Sequence, residues 1–363
     1  MKLQVTQENL NRALTTVARV ANSRGTLPIL ANVLIKTASN RLSISATNLD
    51  IAITQYIGGK VAEEGSITVP ARLMQDFIGS LPAGVINLDL DETKLHIATD
   101  QYKSTINGIV ADDFPVMPAI SGGESWSVQT GVLKKALQQV VFAASNDESR
   151  PVLTGVLIQS IDGKLHLAAT DSYRLAEKQI GDTKATVNLL VPATAMQDLL
   201  RILADDDDEV HVSHDEQQVL FKVGDIELVA RLLEGKYPDY GKLIPQLFAV
   251  TAILKRADFV NVTKVSSLFA RESAGSVTLK VDEASQTLSI RSIASQLGEN
   301  TANASGKITG DGEITLNSRY LLDALQAING DEVTFGFNGK LEATALRDSS
   351  ADGYTHIIMP LKS

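Results

Sequence analysis

The sequence predicts an α+β protein made of three tandem, similar domains, each built from two strand-helix-three-strand halves. Three observations carry that prediction. A short strand running straight into a helix is written three times, as ITVPARLMQDFIGSLPAG from Ile67, LLVPATAMQDLLRILADDDDEV from Leu189 and ITLNSRYLLDALQAINGDEV from Ile314. Pro70 and Pro192 lie 122 residues apart, and Pro192 and Asn317, which takes the proline's place, lie 125 apart. A period of that size marks whole repeated domains, and 363 residues hold three of them, each large enough for its own core. The third observation is alternation of apolar and polar residues between the helices, the signature of half-buried antiparallel strands. The predicted domains are 1–122, 123–247 and 248–363.

Taken in order, Leu3-Gln4-Val5 reads as a strand, and Thr6 as the cap of a helix from Gln7 to about Val20 that buries Leu10, Leu14 and Val17. Val5, Val128 and Val250 are read as equivalent, so Thr130 and Thr251 stand as the matching caps. ILANVLIKT, RLSISAT and LDIAITQY follow as strands separated by Ser39-Asn40 and Asn48; Leu42 to Leu165 and Leu165 to Leu288 are both 123 residues apart, which extends the match to all three repeats. The second helix of each repeat presents an apolar face: Leu73, Phe77, Ile78 and Leu81, then Met196, Leu199, Leu200 and Leu203, then Leu321, Leu325 and Ile328. VINLDLD, KLHIAT and YKSTINGIV complete the first repeat. Phe114-Pro115 and Tyr237-Pro238 close the first two repeats before the connections AISGGES and GKLIPQ.

Composition excludes several classes. The chain has no cysteine, so disulfides, thiolate nucleophiles and cysteine metal sites are all ruled out. His211 and His214, the one close histidine pair, fall in a predicted strand where a separation of three puts them on opposite faces. The run Asp205 to Asp208 lacks the alternating ligands and glycine of an EF-hand and reads as a solvated turn. No P-loop and no G-x-S-x-G elbow occurs. The expectation is therefore no metal, no cofactor and no catalytic site, although carboxylates from distant segments could still meet. The start, MKLQVTQENL, has no apolar core, and the run Leu243 to Leu254 is broken by Pro245, Gln246 and Thr251, so a cytoplasmic protein without a membrane segment is expected.

The net charge is −10, which on its face argues against nucleic acid. Charge is unevenly spread, however. The six predicted helices, 7–20, 71–80, 131–145, 193–204, 253–266 and 318–328, carry ten Lys and Arg against five Asp and Glu. Solvated helix faces with i,i+4 pairs such as Arg72/Asp76 and Arg319/Asp323 would explain this, and so would a weakly basic surface for phosphates.

Arg24-Gly-Thr-Leu-Pro-Ile-Leu30, Ser149-Arg-Pro-Val-Leu-Thr-Gly155, Ala169-Thr-Asp-Ser-Tyr-Arg-Leu-Ala176, Tyr237-Pro-Asp-Tyr240 and Met359-Pro360 occur in an order and spacing that resembles the bacterial DNA polymerase III beta subunit family, the sliding clamps. The resemblance runs the whole length. It implies a DNA clamp fold and a head-to-tail homodimer closed into a ring, with helices lining the hole and sheets outside. It further implies a non-catalytic processivity factor that holds double-stranded DNA without sequence specificity and tethers the DNA polymerase III catalytic subunit, the clamp loader and other proteins bearing a clamp-binding motif. Under it, Arg24, Arg72, Lys134, Arg150 and Arg201 are DNA contacts. Ser104 and Ile106 of one subunit face Leu268 and Phe269 of the other.

The family's partner-peptide pocket maps to Leu153, Thr170, Ser172, Tyr173, Arg174 and Leu175 in the second repeat and to Pro238, Lys242 and Leu243 at its end. Ile357, Ile358, Met359, Pro360 and Leu361 of the terminal segment complete it. Leu175 and Leu243 are expected as the floor, Arg174 as a group that orients the peptide, and Met359-Pro360 as the point where the last strand leaves the sheet to form a wall. Tyr173 in place of a usual histidine, Ser172 for glycine, Lys242 for a frequent arginine and the Leu-Lys-Ser ending depart from the commonest pattern. Two other readings remain open on the residues alone: a triple-repeat scaffold that binds proteins and not DNA, and an enzyme with a site between repeats.

Overall fold

The structure is a computed structural model that describes residues 1–363 apart from 22–26, 39, 116–119, 121–122, 205–207, 295–297, 351–352 and 363. Its six α-helices among the described residues are α1 (Gln7–Val17), α2 (Ala71–Ser80), α3 (Thr130–Val140), α4 (Ala193–Ile202), α5 (Arg256–Phe269) and α6 (Ser318–Ala327). All three repeats show the predicted order twice over, a strand, a helix and three strands, with one further short strand, Lys60–Glu63, inserted in the first.

Local sequence explains the helices. Thr6 accepts a hydrogen bond from the Asn9 amide and caps α1, whose Leu10, Leu14 and Val17 are fully buried. Such burial is worth roughly 1.5–3 kcal/mol per side chain, well above the ~1 kcal/mol of the cap. In α2 the buried face is Ala71, Met74 and Ile78, while Leu73, expected inside, is 54% exposed. The face turned because Met74 and Ile78 sit four apart on one stripe, and Leu73 lies a third of a turn away from it. The equivalents Met196 and Leu199 in α4 and Leu321 and Leu325 in α6 are buried as predicted.

The predicted cap Thr251 is a correction. The strand Val250–Lys255 runs on past it and α5 begins at Arg256, so Val5 and Val128 match Leu254, four residues beyond Val250. Val250, Ala252 and Leu254 are all buried, and a slip of four keeps every side chain of a strand on the same face, so alternation could not detect the error. Thr130 is the first residue of α3 rather than its cap, and its hydroxyl donates to the Asp208 carbonyl at 2.6 Å.

The chain forms two compact units, residues 1–131 with 201–232 and residues 132–200 with 233–363. The first holds a five-stranded antiparallel sheet in the order Lys60–Glu63, Lys2–Thr6, Val85–Asp91, Lys94–Ala98, Lys103–Asn107. It also holds an eight-stranded sheet running Glu124–Gln129, Glu209–His214, Gln218–Val223, Ile226–Arg231, Ile51–Gly58, Arg41–Thr47, Asn32–Ala38, Ser66–Pro70. The second unit holds a twelve-stranded sheet in which Arg174–Asp182 pairs with Tyr354–Ile358. Units and repeats differ because strands pair across the repeat boundaries. The last strand of the second repeat, Ile226–Arg231, pairs with the third strand of the first, Ile51–Gly58. The last strand of the third repeat pairs in the same register with the third strand of the second. Main-chain ladders thus divide the middle repeat between two compact bodies.

Candidate functional site

The segment Thr170 to Leu175 of the second repeat folds as a tight turn fixed by its own side chains. The Thr170 hydroxyl donates to the Arg174 carbonyl at 2.6 Å and accepts from the Ser172 amide at 3.1 Å. Asp171 Oδ1 accepts from the amides of Tyr173 and Arg174, both at 2.9 Å. Short polar side chains that bond the backbone two and three residues on are what such turns require. Ser172 is held at φ 78°, in the left-handed region that glycine adopts without steric cost.

The turn delivers two groups. Leu175 opens the strand Arg174–Asp182 opposite Ile357, and the Tyr173 carbonyl accepts from the Met359 amide at 2.8 Å. The last strand ends at Ile358, and beyond it the Leu361 amide bonds the Thr315 carbonyl at 2.9 Å, so the terminal segment leaves the sheet at Met359-Pro360 as predicted. Beneath lies an apolar cluster that includes Leu153, Leu157, Leu175, Ile357, Tyr237 and Tyr240, with Val152, Leu233, Ile244 and Phe248 half-buried against it. The Tyr240 hydroxyl donates to Glu177 at 3.0 Å; burial, and then the Glu177 charge, raise its pKa far above that of a free phenol, so it stays a neutral donor. Around this floor stand exposed side chains: Tyr173, Pro238, Leu243, Lys242 and Met359, the last 38% exposed. Lys242 pairs with Asp239 at 2.8 Å, which raises the pKa of its ammonium.

Two expectations change. Leu243, predicted in the floor, is 52% exposed and sits on the rim, while Leu153, Leu157 and Ile357 do the work expected of it. Arg174 turns inward, with its side chain 11% exposed. Its guanidinium donates to Asp171 at 3.1 Å, to Asp323 of α6 at 2.6 Å and to the Phe142 carbonyl at 2.7 Å, and lies over the rings of Tyr320 and Phe142. With three directions of the fork taken, Arg174 acts as a clamp on the turn rather than as a free cation for a ligand. Thr170 and Ile358 are likewise buried parts of the frame. Tyr320 and Phe142 were not found by sequence reasoning, since no local pattern marks them, and Asp323, read there as an i,i+4 partner of Arg319, pairs with Arg174.

The basic candidates are placed as follows. Arg72 is exposed at the start of α2, Arg201 exposed near the end of α4, and Lys134 half-exposed on α3. Arg150 is exposed in the loop before the turn Pro151–Thr154, 3.6 Å from Asp147, with a 3.1 Å hydrogen bond to the Ser172 hydroxyl. Arg24 lies outside the described residues. Lys103–Asn107, with Ser104 half-exposed and Ile106 buried, is the outer strand of the five-stranded sheet. Leu268, 51% exposed, and the half-buried Phe269 end α5. Among the described residues no group of three or more His, Cys, Asp or Glu is placed to hold a metal, and no helix is long and apolar enough to cross a membrane.

Three tandem domains of twice-repeated strand-helix-three-strand form, joined by strand pairing across their boundaries, define the sliding-clamp class of folds. Residues 1–118, 127–239 and 241–362 match the N-terminal, central and C-terminal domains of the DNA polymerase III beta subunit. The chain is 31% identical to a beta sliding clamp of Staphylococcus epidermidis and 30% identical to one of Staphylococcus aureus, over all of both chains in each comparison. The crystal structure of the DNA polymerase sliding clamp from Bacillus subtilis superposes with a TM-score of 0.96 at 28% identity, over 100% of this chain and 99% of that one. The DNA polymerase III subunit beta from Pseudomonas aeruginosa gives 0.95 at 26%, over 100% of both chains. The chain belongs to the DNA polymerase III beta subunit family of sliding clamps.

Proposed function

We propose that this chain is the processivity clamp of a replicative DNA polymerase. Two copies close head to tail into a ring around double-stranded DNA, helices inside and sheets outside, and the ring performs no covalent chemistry. The observation that carries the ring is the arithmetic of strand pairing. Twice within the chain, the last strand of one repeat adds to the third strand of the repeat before it, in one register. Among the described residues, the last strand of the first repeat, Lys103–Asn107, ends its sheet with one side unpaired, and residues 298–305 of the third repeat pair only with Thr287–Ala294. Open edges of this kind invite a strand. Joining them between copies gives each edge the partner its equivalents have. Carried over, the internal register sets Ser104 opposite Asn300 and Thr105 opposite Glu299, beside Leu268 and Phe269.

Inside such a ring, Arg72, Lys134, Arg150 and Arg201, with Arg24, attract phosphates without reading bases, which is what sliding demands. The acidic balance of the rest keeps DNA off the outer wall. The groove at the turn Thr170 to Leu175 docks an extended peptide of the Gln-Leu-x-Leu-Phe type: apolar anchors enter over Leu153, Leu175 and Ile357, and Met359 and Tyr173 close the sides. The polymerase catalytic subunit, the clamp loader and other proteins with that motif compete for it, in the cytoplasm where the DNA is. Retention is the test. Loaded protein should stay on nicked circular DNA at salt that abolishes phosphate binding and should leave when the circle is cut; equal retention on circular and linear DNA refutes the ring.

A further inference from the structure

The frame of the peptide groove is built twice. At the join of the first and second repeats, Thr47 donates to the Ile51 carbonyl at 3.0 Å and accepts from the Leu49 amide at 3.0 Å, as Thr170 does with Arg174 and Ser172. Asn48 Oδ1 accepts from the amides of Asp50 and Ile51 at 3.0 and 2.8 Å, taking the part of Asp171. The Asp50 carbonyl accepts from the Arg231 amide at 2.8 Å, where the Tyr173 carbonyl accepts from Met359. Ala52 faces Val229 as Leu175 faces Ile357.

What differs is the covering. Leu34, Leu220 and Val229 remain half-exposed, whereas their counterparts Leu157, Ala345 and Ile357 are buried. At the mouth, Leu49 is 43% exposed where the first groove has Ser172, and Leu27 is 47% exposed where it has Arg150. Arg150 and Ser172 touch at 3.1 Å, so these two positions are neighbours in the frame. Leu49 is held at φ 80°, a conformation that a branched residue adopts at a steric cost. Thr47 and Asn48 impose that conformation, and the result is an apolar side chain aimed outward, the kind of strain that marks a ligand clamp rather than a core. Exposed Arg231, in the place of Met359, adds a cation at one end. Asp50, in the place of Tyr173, stands beside it, its carbonyl bonded to the Arg231 amide. Along the same sheet face, Arg41, Tyr56, Lys222, Asp225 and Glu227 line a hollow of about 340 Å³, room for the chain that leaves the groove.

We propose that this join is a second docking groove, which takes an extended peptide bearing two apolar side chains followed by a carboxylate that meets Arg231. The inference rests on the peptide-docking reading of the first groove, so the test separates the two. The probe is a fluorescein-labelled peptide Gln-Leu-Ser-Leu-Phe-Asp, titrated by anisotropy against the full chain and against the chain lacking residues 359–363. Saturable binding should persist in the truncated chain. Leu49→Gly should weaken it at least ten-fold without lowering Tm, because glycine relieves the left-handed backbone. Arg231→Glu should weaken it similarly, and that loss should vanish with a C-terminally amidated peptide ending in Asn. Binding to the full chain that disappears on truncation overturns the second groove and leaves the first standing. Binding lost with Leu49→Gly but untouched by truncation keeps the second groove and overturns the first, and no binding anywhere overturns both.

Discussion

His356 lies one residue before Ile357, in the frame beneath the turn Thr170 to Leu175, and makes the stability of the fold depend on pH. It is fully buried, stacked on Phe142 at 5.6 Å, with Nδ1 3.1 Å from the Tyr354 hydroxyl. Burial first, and the Arg174 charge second, push its pKa from 6.5 down to about 3. The folded value is below the unfolded one. As pH falls through ~6.5 the unfolded chain therefore gains a proton that the folded chain refuses until ~3, and stability drains away across that window at ~1.4 kcal/mol per pH unit. Between pH 7 and pH 5 the loss from this one residue comes to about 2 kcal/mol. His356→Phe keeps a ring against Phe142 and removes the titration. Urea midpoints for both proteins at pH 7 and pH 5 isolate the effect: the parent should lose about 2 kcal/mol more than the variant over that interval. Parallel losses, or an NMR titration of the His356 ring near 6.5, would refute the argument.

Three further outcomes follow from the structure. Because the chain has no cysteine, Thr105→Cys combined with Glu299→Cys should form a covalent dimer on oxidation, while Thr105→Cys with Asn303→Cys should not; the reverse on a non-reducing gel would put the joint in another register. Leu268→Ala with Phe269→Ala removes ~3–6 kcal/mol of apolar burial from that joint and should give folded monomers by light scattering. Removing residues 359–363 takes away the Met359 wall and its bond to Tyr173 but no helix and no open edge. Dimers should persist, while the high-affinity phase of peptide anisotropy should weaken by at least ten-fold.

The repeat, the six helices and the strand order were legible because apolar periodicity is a local signal. Its limits are equally physical. Alternation is blind to an even slip, so it does not separate Val250 from Leu254 as the match of Val5; the end of the Val250–Lys255 strand does. Leu73 reads as core in a helical wheel, yet only packing decides which of two adjacent stripes is buried. The groove's residues came from a family resemblance, and their chemistry was partly misjudged from it: an arginine in a motif suggests a cation offered to a ligand, and only the positions of Asp323, Tyr320 and the Phe142 carbonyl show Arg174 already engaged. The pairing of strands across repeats left no trace in composition or spacing.

That pairing bears on how such a protein changes over time. The seams between repeats are made of amide and carbonyl groups, which every residue except proline supplies, together with a small set of side chains such as Arg174 with Asp323 and Leu175 with Ile357, so most surface positions take no part in them. Substitution can then sweep most of the outer surface without loosening one repeat from the next. At 28% identity, the chain still superposes end to end on the Bacillus subtilis clamp.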